Sequence, residues 1–212
     1  MATNYATKVF NGLPVLFTPE LDGGGAGYGQ DFVHFVRANF PRQRRVFEWC
    51  GGAGFIGFSL LSHDLCDTLC LADINPAAVE ACHATIAANG LQERVSVYQS
   101  DCLKGIPHEE QWDLVVANPP HSGTDETIPE IRRPRIIYQD VGWKLHEEFY
   151  RNVGRFLSPQ GQLLIQENFR FSSVATFKQM IERNGFSIVD TPACETPSRK
   201  YYYYIWCRRT EE

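Results

Sequence analysis

No apolar run in the 212-residue sequence approaches the length of a transmembrane helix. Its start, MATNYATKVF, lacks the basic-then-apolar layout of a secretory leader, so no membrane partner and a cytoplasmic location are expected. Positive charge is also short. Twenty Lys+Arg against 25 Asp+Glu leave a formal net charge of −5, which disfavours a surface built mainly to grip a phosphate backbone, a local basic patch aside. Seven cysteines occur (Cys50, Cys66, Cys70, Cys82, Cys102, Cys194, Cys207), but the count is odd and there is no C-x-x-C pair. Reduced thiols acting as small core residues are expected rather than a disulfide framework. Cys66 and Cys70 could share a helix face, yet no His/Cys set follows at zinc spacing, so no metal is expected. Repeats and low-complexity tails are missing, and 43% hydrophobic content over this length fits one folded domain, 1–212.

What is present is an alternation of strands and helices. Strands are expected at Arg45–Trp49, Thr68–Ala72, Val95–Gln99 and Leu114–Ala117, with helices at Phe55–Asp64 and Ala77–Asn89. Asn75-Pro76 caps the second helix and Gly90 stops it. Short loops join these segments, which is the signature of a Rossmann-like, doubly wound, mostly parallel α/β sheet. Before it, Val9–Phe17 reads as a short strand or hairpin and Asp31–Asn39 as a helix. After it come a helix at Val141–Phe156, a strand at Gln162–Gln166 and a helix at Ser173–Asn184. Phe186–Asp190 and Tyr201–Trp206 complete the sheet as an antiparallel pair, the tyrosines serving as core and edge packing. Two segments resist this pattern. The loop Asp22–Gly29, carrying Tyr28, is either a turn cluster or a place where backbone approaches a ligand closely. Residues 122–140 are polar and proline-punctuated, and a long irregular connection of that kind reads as a substrate-facing loop.

That second segment leaves directly from WDLVVANPPH, residues 112–121. Proline has no N–H for a central strand, so Asn118-Pro119-Pro120 ends the core strand abruptly and presents Asn118 and His121 at its carboxyl end. Ligands of open α/β sheets bind at that end. Earlier in the chain, Gly52-Ala53-Gly54-Phe55-Ile56-Gly57 is a literal G-x-G-x-x-G between a strand and a helix, and Asp73 stands where a ribose-binding acid is placed. Any nucleoside-bearing cofactor needs those features, a nicotinamide included. Three features favour S-adenosylmethionine. Glu48 precedes the glycines and would repel a pyrophosphate but favour an ammonium and a sulfonium. Asp101 follows the third strand, where a carboxylate can accept from an adenine amino group, and Asn-Pro-Pro follows the fourth.

With these motifs the sequence resembles a class I S-adenosylmethionine-dependent methyltransferase of the N-P-P-[Y/F/W] group, over roughly Val46 to Phe169. That group includes protein-glutamine N5-methyltransferases and adenine-N6 methyltransferases. The resemblance implies a sheet order 3-2-1-4-5-7-6 with strand seven antiparallel. It also implies that Glu48, Cys50 (in place of the first glycine), Gly52, Gly54 and Phe55 form the first cofactor motif. Asp73 would bind ribose with Ile74 packing on adenine, and Asp101 with Cys102 would meet the adenine edge. Asn118 would border both cofactor and acceptor. Residues 1–40 would flank the cofactor site.

Methyl transfer to nitrogen is an in-line displacement in which positioning supplies much of the gain. Asn118 Oδ1 and the Pro119 carbonyl could accept from the acceptor N–H, hold its lone pair toward the methyl and stabilise the charge that develops, with Pro120 stiffening the turn. His121 takes the place of the group's flat aromatic, and a stacking or positioning role is preferred to that of general base. The remaining histidines, His146 among them, have no comparable context. Tyr28, Arg132, Arg133, Arg135 and Tyr138 are candidate substrate contacts. An amide or amine of a protein or small molecule is the favoured acceptor, adenine in RNA or DNA the alternative, and a non-catalytic or nicotinamide-binding Rossmann-fold protein the reading from another class. Oligomeric state is not legible.

Overall fold

Alternation of apolar residues and an Asn-Gly pair start the chain as a β-hairpin. The computed structural model describes residues 4–21, 29–127, 134–196 and 199–210. Strands β1 (Ala6–Phe10) and β2 (Leu13–Phe17) pair antiparallel. Asn11 and Gly12 both sit at positive φ, 43° and 84°, as a tight hairpin turn matched to strand twist requires. Helix α1 (Gly29–Asn39) follows, then β3 (Gln43–Trp49), α2 (Phe55–Ser62), β4 (Cys66–Asp73), α3 (Pro76–Asn89) and β5 (Val95–Gln99). Helix α3 begins as its sequence requires: Asn75 Oδ1 accepts from the Ala77 N–H at 3.0 Å, Pro76 occupies the first turn, and Gly90 ends it at φ 64°.

Strands β6 (Trp112–Ala117), β7 (Leu157–Asn168), β8 (Phe186–Asp190) and β9 (Tyr202–Arg209) carry the second half, with helices α4 (Arg135–Tyr138), α5 (Lys144–Val153) and α6 (Val174–Arg183) between them. The main sheet has seven strands in the order β5-β4-β3-β6-β7-β9-β8, which is the 3-2-1-4-5-7-6 order implied by the resemblance. Pairs β3–β4, β4–β5 and β6–β7 are parallel, whereas β9 pairs antiparallel with both β7 and β8. Contacts gather the chain into two compact units, 1–107 and 108–212.

In the first unit the hairpin packs on the helices. Phe10 and Phe17 meet the Phe55 ring edge-on at 6.0 and 5.1 Å, the Leu16 N–H donates to Thr85 Oγ1, and Asn89 Nδ2 donates to the Pro14 carbonyl. None of the seven cysteines is in a disulfide and six are buried, as small core residues. In the second unit β7 starts five residues before the expected Gln162. Pro159 and Gly161 mask this stretch in the sequence, but Gly161 lies where a Cβ would come 2.8 Å from the Trp112 carbonyl, so close strand approach demands glycine there. The expected helix 141–156 divides into 3-10 turns at Val141–Trp143 and Gly154–Phe156 around α5. Tyr203 and Tyr204 are buried on β9, as packing residues should be.

Candidate active site

The first unit builds its part from three strand ends. Gly51 donates its N–H to the Ala72 carbonyl, which turns the chain back toward β4, and Cys50, Gly52 and Gly54 all take positive φ, 53°, 53° and 76°. A non-glycine residue in that region is strained, so Cys50 stands in the first-glycine position at a cost of about 1 kcal/mol or more. Among the described residues, a Cβ at Gly52 would find only the Leu21 carbonyl, at 4.0 Å. Asp73, at the end of β4, accepts the Gly52 N–H on Oδ2 (2.8 Å) and the Asn75 N–H on Oδ1 (2.9 Å), with the Ile74 amide also turned to it, and a carboxylate with about four lone-pair sites keeps capacity beyond these donors. Burial raises the Asp73 carboxyl above its ordinary range, against the lowering effect of those amides. Next to it Ile74 is 43% exposed, an apolar side chain open to a flat ligand.

Glu48 does something the sequence did not reveal. It is buried, and its two oxygens accept the Ile56 and Gly57 N–H groups at 3.3 and 2.6 Å. Helix α2 begins at Gly54, which has no side chain with which to cap it, and Glu48 does so from the preceding strand. Gly57 is needed for this contact, because a Cβ there would fall 2.8 Å from Glu48 Oε2 and 2.7 Å from Leu69. Burial pushes the Glu48 carboxyl up to about 8, opposed by the two amides. Asp101 lies beyond β5 on the surface and pairs with Lys104 at 2.8 Å, while Cys102 is buried with φ 53°. Phe55 turns its ring to the hairpin. The positive-φ turn at Gly52, the acceptor capacity left on Asp73 and the exposed Ile74 fit a ribose and an adenine.

In the second unit the buried strand β6 ends at Ala117, and half-buried Asn118 and buried Pro119 and Pro120 lead to His121. Behind this turn runs a chain of hydrogen bonds. His121 Nε2 is 2.7 Å from Asn118 Oδ1 and its Nδ1 is 3.3 Å from Glu167 Oε2. Glu167 Oε1 is 2.9 Å from His146 Nε2, and His146 Nδ1 is 2.6 Å from Asp140 Oδ2. Asp140 also accepts the Leu145 and His146 N–H groups at 2.8 and 3.0 Å, which caps α5. The Ser122 N–H donates to the Tyr138 carbonyl and the Asp140 N–H to the Ser122 carbonyl, so the chain leaving the prolines holds Asp140 in place.

Glu167 and His146 are fully buried and Asp140 nearly so. Burial alone would neutralise the ring, but the Glu167 charge and the hydrogen bonds to both carboxylates outweigh it and raise His146 to about 9. Burial likewise opposes the charges of Glu167 and Asp140, yet His146 holds both carboxyls below their ordinary values. The stable arrangement at neutral pH is carboxylate, imidazolium, carboxylate. His121 meets the Tyr202 ring edge-on at 5.4 Å.

The sequence singled out Asn118 and His121 and set His146 aside. Glu167, His146, Asp140 and Tyr202 are the residues it missed. A polar pair, Gln166-Glu167, ending the apolar run of β7 was the available signal. Of the candidate substrate contacts, Tyr138 is buried, and Arg135 is engaged by Asp125 and Gln139 at the surface. Tyr28, Arg132 and Arg133 lie outside the described residues.

Comparison with known proteins matches residues 30–188 to the methyltransferase small domain family. The chain belongs to that family. Release factor glutamine methyltransferase of Clostridium acetobutylicum is 28% identical over 157 residues, covering 70% of this chain and 54% of its own. Ribosomal RNA small subunit methyltransferase C of Vibrio vulnificus is 30% identical over 125 residues, covering 58% and 31%. This family member thus spans about half or less of the length of these relatives. Among solved structures, a ribosomal protein L11 methylase from Lactobacillus delbrueckii subsp. bulgaricus shares the fold, with a TM-score of 0.61 at 14% identity over 86% of this chain and 78% of that one. Membership of a methyltransferase family does not favour the nicotinamide reading.

Proposed function

We propose that the chain is an S-adenosylmethionine-dependent methyltransferase that transfers a methyl group to an amide or amine nitrogen of a protein. The observation that carries this is the Asn118-Pro119-Pro120 turn at the carboxyl end of buried β6, with the Asn118 side chain set by a hydrogen-bonded neighbour rather than left to solvent. S-adenosylmethionine supplies an electrophilic methyl group on a sulfonium. Asp73 would accept the ribose hydroxyls on the lone pairs its backbone donors leave over, and Ile74 would cover the adenine face. Cys50, Gly52 and Gly54 bring backbone close to the cofactor, and Glu48 holds that loop to the start of α2. Asp101 is assigned to the adenine edge, where it would leave Lys104.

At the acceptor, Asn118 Oδ1 and the Pro119 carbonyl take hydrogen bonds from the N–H groups, which orients the lone pair and favours positive charge on nitrogen. A protein acceptor is preferred to a small molecule because the relatives' names specify a release factor and ribosomal RNA, and to nucleic acid because of the net charge of −5. Reduced thiols fit a reducing compartment, hence the cytoplasm. One feature of the second unit favours nucleic acid as the second reading: Phe169 and Tyr201 are exposed, with the Arg170 guanidinium 4.6 Å and the Lys200 ammonium 5.0 Å from the Tyr201 ring centre.

The test incubates the purified protein with methyl-labelled S-adenosylmethionine and a lysate separated into protein, nucleic-acid and small-molecule fractions. Label in protein supports the proposal. Label lost on nuclease treatment establishes the second reading, and label in no fraction refutes both.

A further inference from the structure

His121 is held at both ring nitrogens by partners of different capacity. Glu167 Oε2, 3.3 Å from Nδ1, belongs to a carboxylate, and an ionised carboxylate only accepts. His146 keeps it ionised, lying 2.9 Å from Oε1 with Asp140 2.6 Å behind. Nδ1 of His121 therefore carries a proton whether the ring is neutral or charged, and the variable proton is the one on Nε2. That nitrogen faces the Asn118 amide at 2.7 Å. An amide has a donor end and an acceptor end of nearly equal size, and its hydrogen-bond partners decide which way it turns. A protonated Nε2 takes the oxygen end. A bare Nε2 can pair only with the NH2 end, which turns Oδ1 away from the ring.

We propose that His121 is a positioning residue that selects the orientation of the Asn118 amide. When neutral it accepts from Asn118 Nδ2 and leaves Oδ1 for the acceptor N–H, and when protonated it holds Oδ1 itself. The inference rests on the reading of Asn118 as the group that receives the acceptor nitrogen. It gives Glu167, His146 and Asp140 a common task, which is to fix one tautomer of His121. An aromatic hydrocarbon in the His121 place could stack on an acceptor but could not turn the amide, so the histidine adds control by protonation. Among the described residues, the groups that face His121 are Glu167 from β7, with His146 of α5 and Asp140 behind it, and Tyr202 from β9, over whose ring the Arg199 guanidinium lies at 5.6 Å. The phenols of Tyr150 and Tyr203 sense the Glu167 charge.

The test is NMR of protein labelled with 15N in histidine rings and asparagine amides, without cofactor or acceptor, titrated over roughly pH 5 to 9. Asn118 signals are assigned by their loss in Asn118→Asp. The neutral His121 ring is expected as the Nδ1–H tautomer, and the Asn118 NH2 pair should shift with the same midpoint as that ring. In Glu167→Gln the tautomer preference should be lost. A dominant Nε2–H tautomer overturns the proposal, as do Asn118 signals that stay constant through the His121 titration. The unsubstituted protein decides this even where the Glu167 variant fails to fold. Because no methyl transfer is measured, failure here is separate from failure of the labelling test.

Discussion

Replacing His146 with glutamine removes the one cation between Asp140 and Glu167 while keeping a polar side chain of similar reach. Its size of effect follows from the shift of the ring. A folded value of about 9 against an ordinary 6.5 converts to about 3 kcal/mol of stabilisation, the low end of the roughly 3–5 kcal/mol lost when a buried ion pair is broken from one side. The pH dependence has a definite sign. A raised histidine stabilises fully below about 6.5, and that stabilisation drains away as pH rises through about 9, because the folded state holds a proton the unfolded chain releases. Asp140 and Glu167 are lowered, so their share is present above the ordinary carboxyl range and is lost as pH falls through their folded values. Glu48 is raised to about 8, so it too makes the fold less stable as pH rises from 4.5. It does so equally in both proteins and cancels in their difference. Urea unfolding of the unsubstituted protein and His146→Gln, followed by tryptophan fluorescence, should differ by about 3 kcal/mol near pH 6 and by little near pH 9.5. Trp143, whose ring lies 5.3 Å from that of His146, is a local reporter. Equal stability at pH 6, or a difference that does not shrink with alkali, would show that His146 is not held as an imidazolium.

Asp73→Ala deprives the Gly52 and Asn75 N–H groups of their acceptor as well as the proposed ribose, and calorimetry should show S-adenosylmethionine bound about tenfold more weakly or worse. Gly57→Ala pushes a methyl against Leu69 and Glu48 and should lower stability by about 1–3 kcal/mol in denaturant unfolding. In the transfer assay Asn118→Ala should lose turnover while its calorimetric affinity for S-adenosylmethionine changes less than about threefold, since the residue acts on the acceptor; retained turnover would remove Asn118 from the chemistry.

Much of the fold was legible because each signal is local. The periodicity of α3 and its Asn75-Pro76 and Gly90 punctuation lie within one stretch of chain, and β6 announces its own end by two prolines that cannot donate. The start of β7 was hidden because Pro159 and Gly161 are breakers in sequence, and only the approach of Trp112 makes that glycine a requirement. Glu48 was recognised as an acid before a glycine loop, but its partners, the amides of Ile56 and Gly57, point at it only once α2 has formed.

The sequence alone determined the strand and helix order, the glycine loop and the acid at Asp73, and the Asn-Pro-Pro turn, since these depend on residue type and spacing of a few positions. Tertiary structure alone decided that residues 118, 121, 140, 146 and 167 share one hydrogen-bonded chain. Their separations along the chain carry no periodicity. The pairing of β7 beside β6 and the seating of α5 bring two carboxylates to one imidazole in a buried place, and there the charges choose each other.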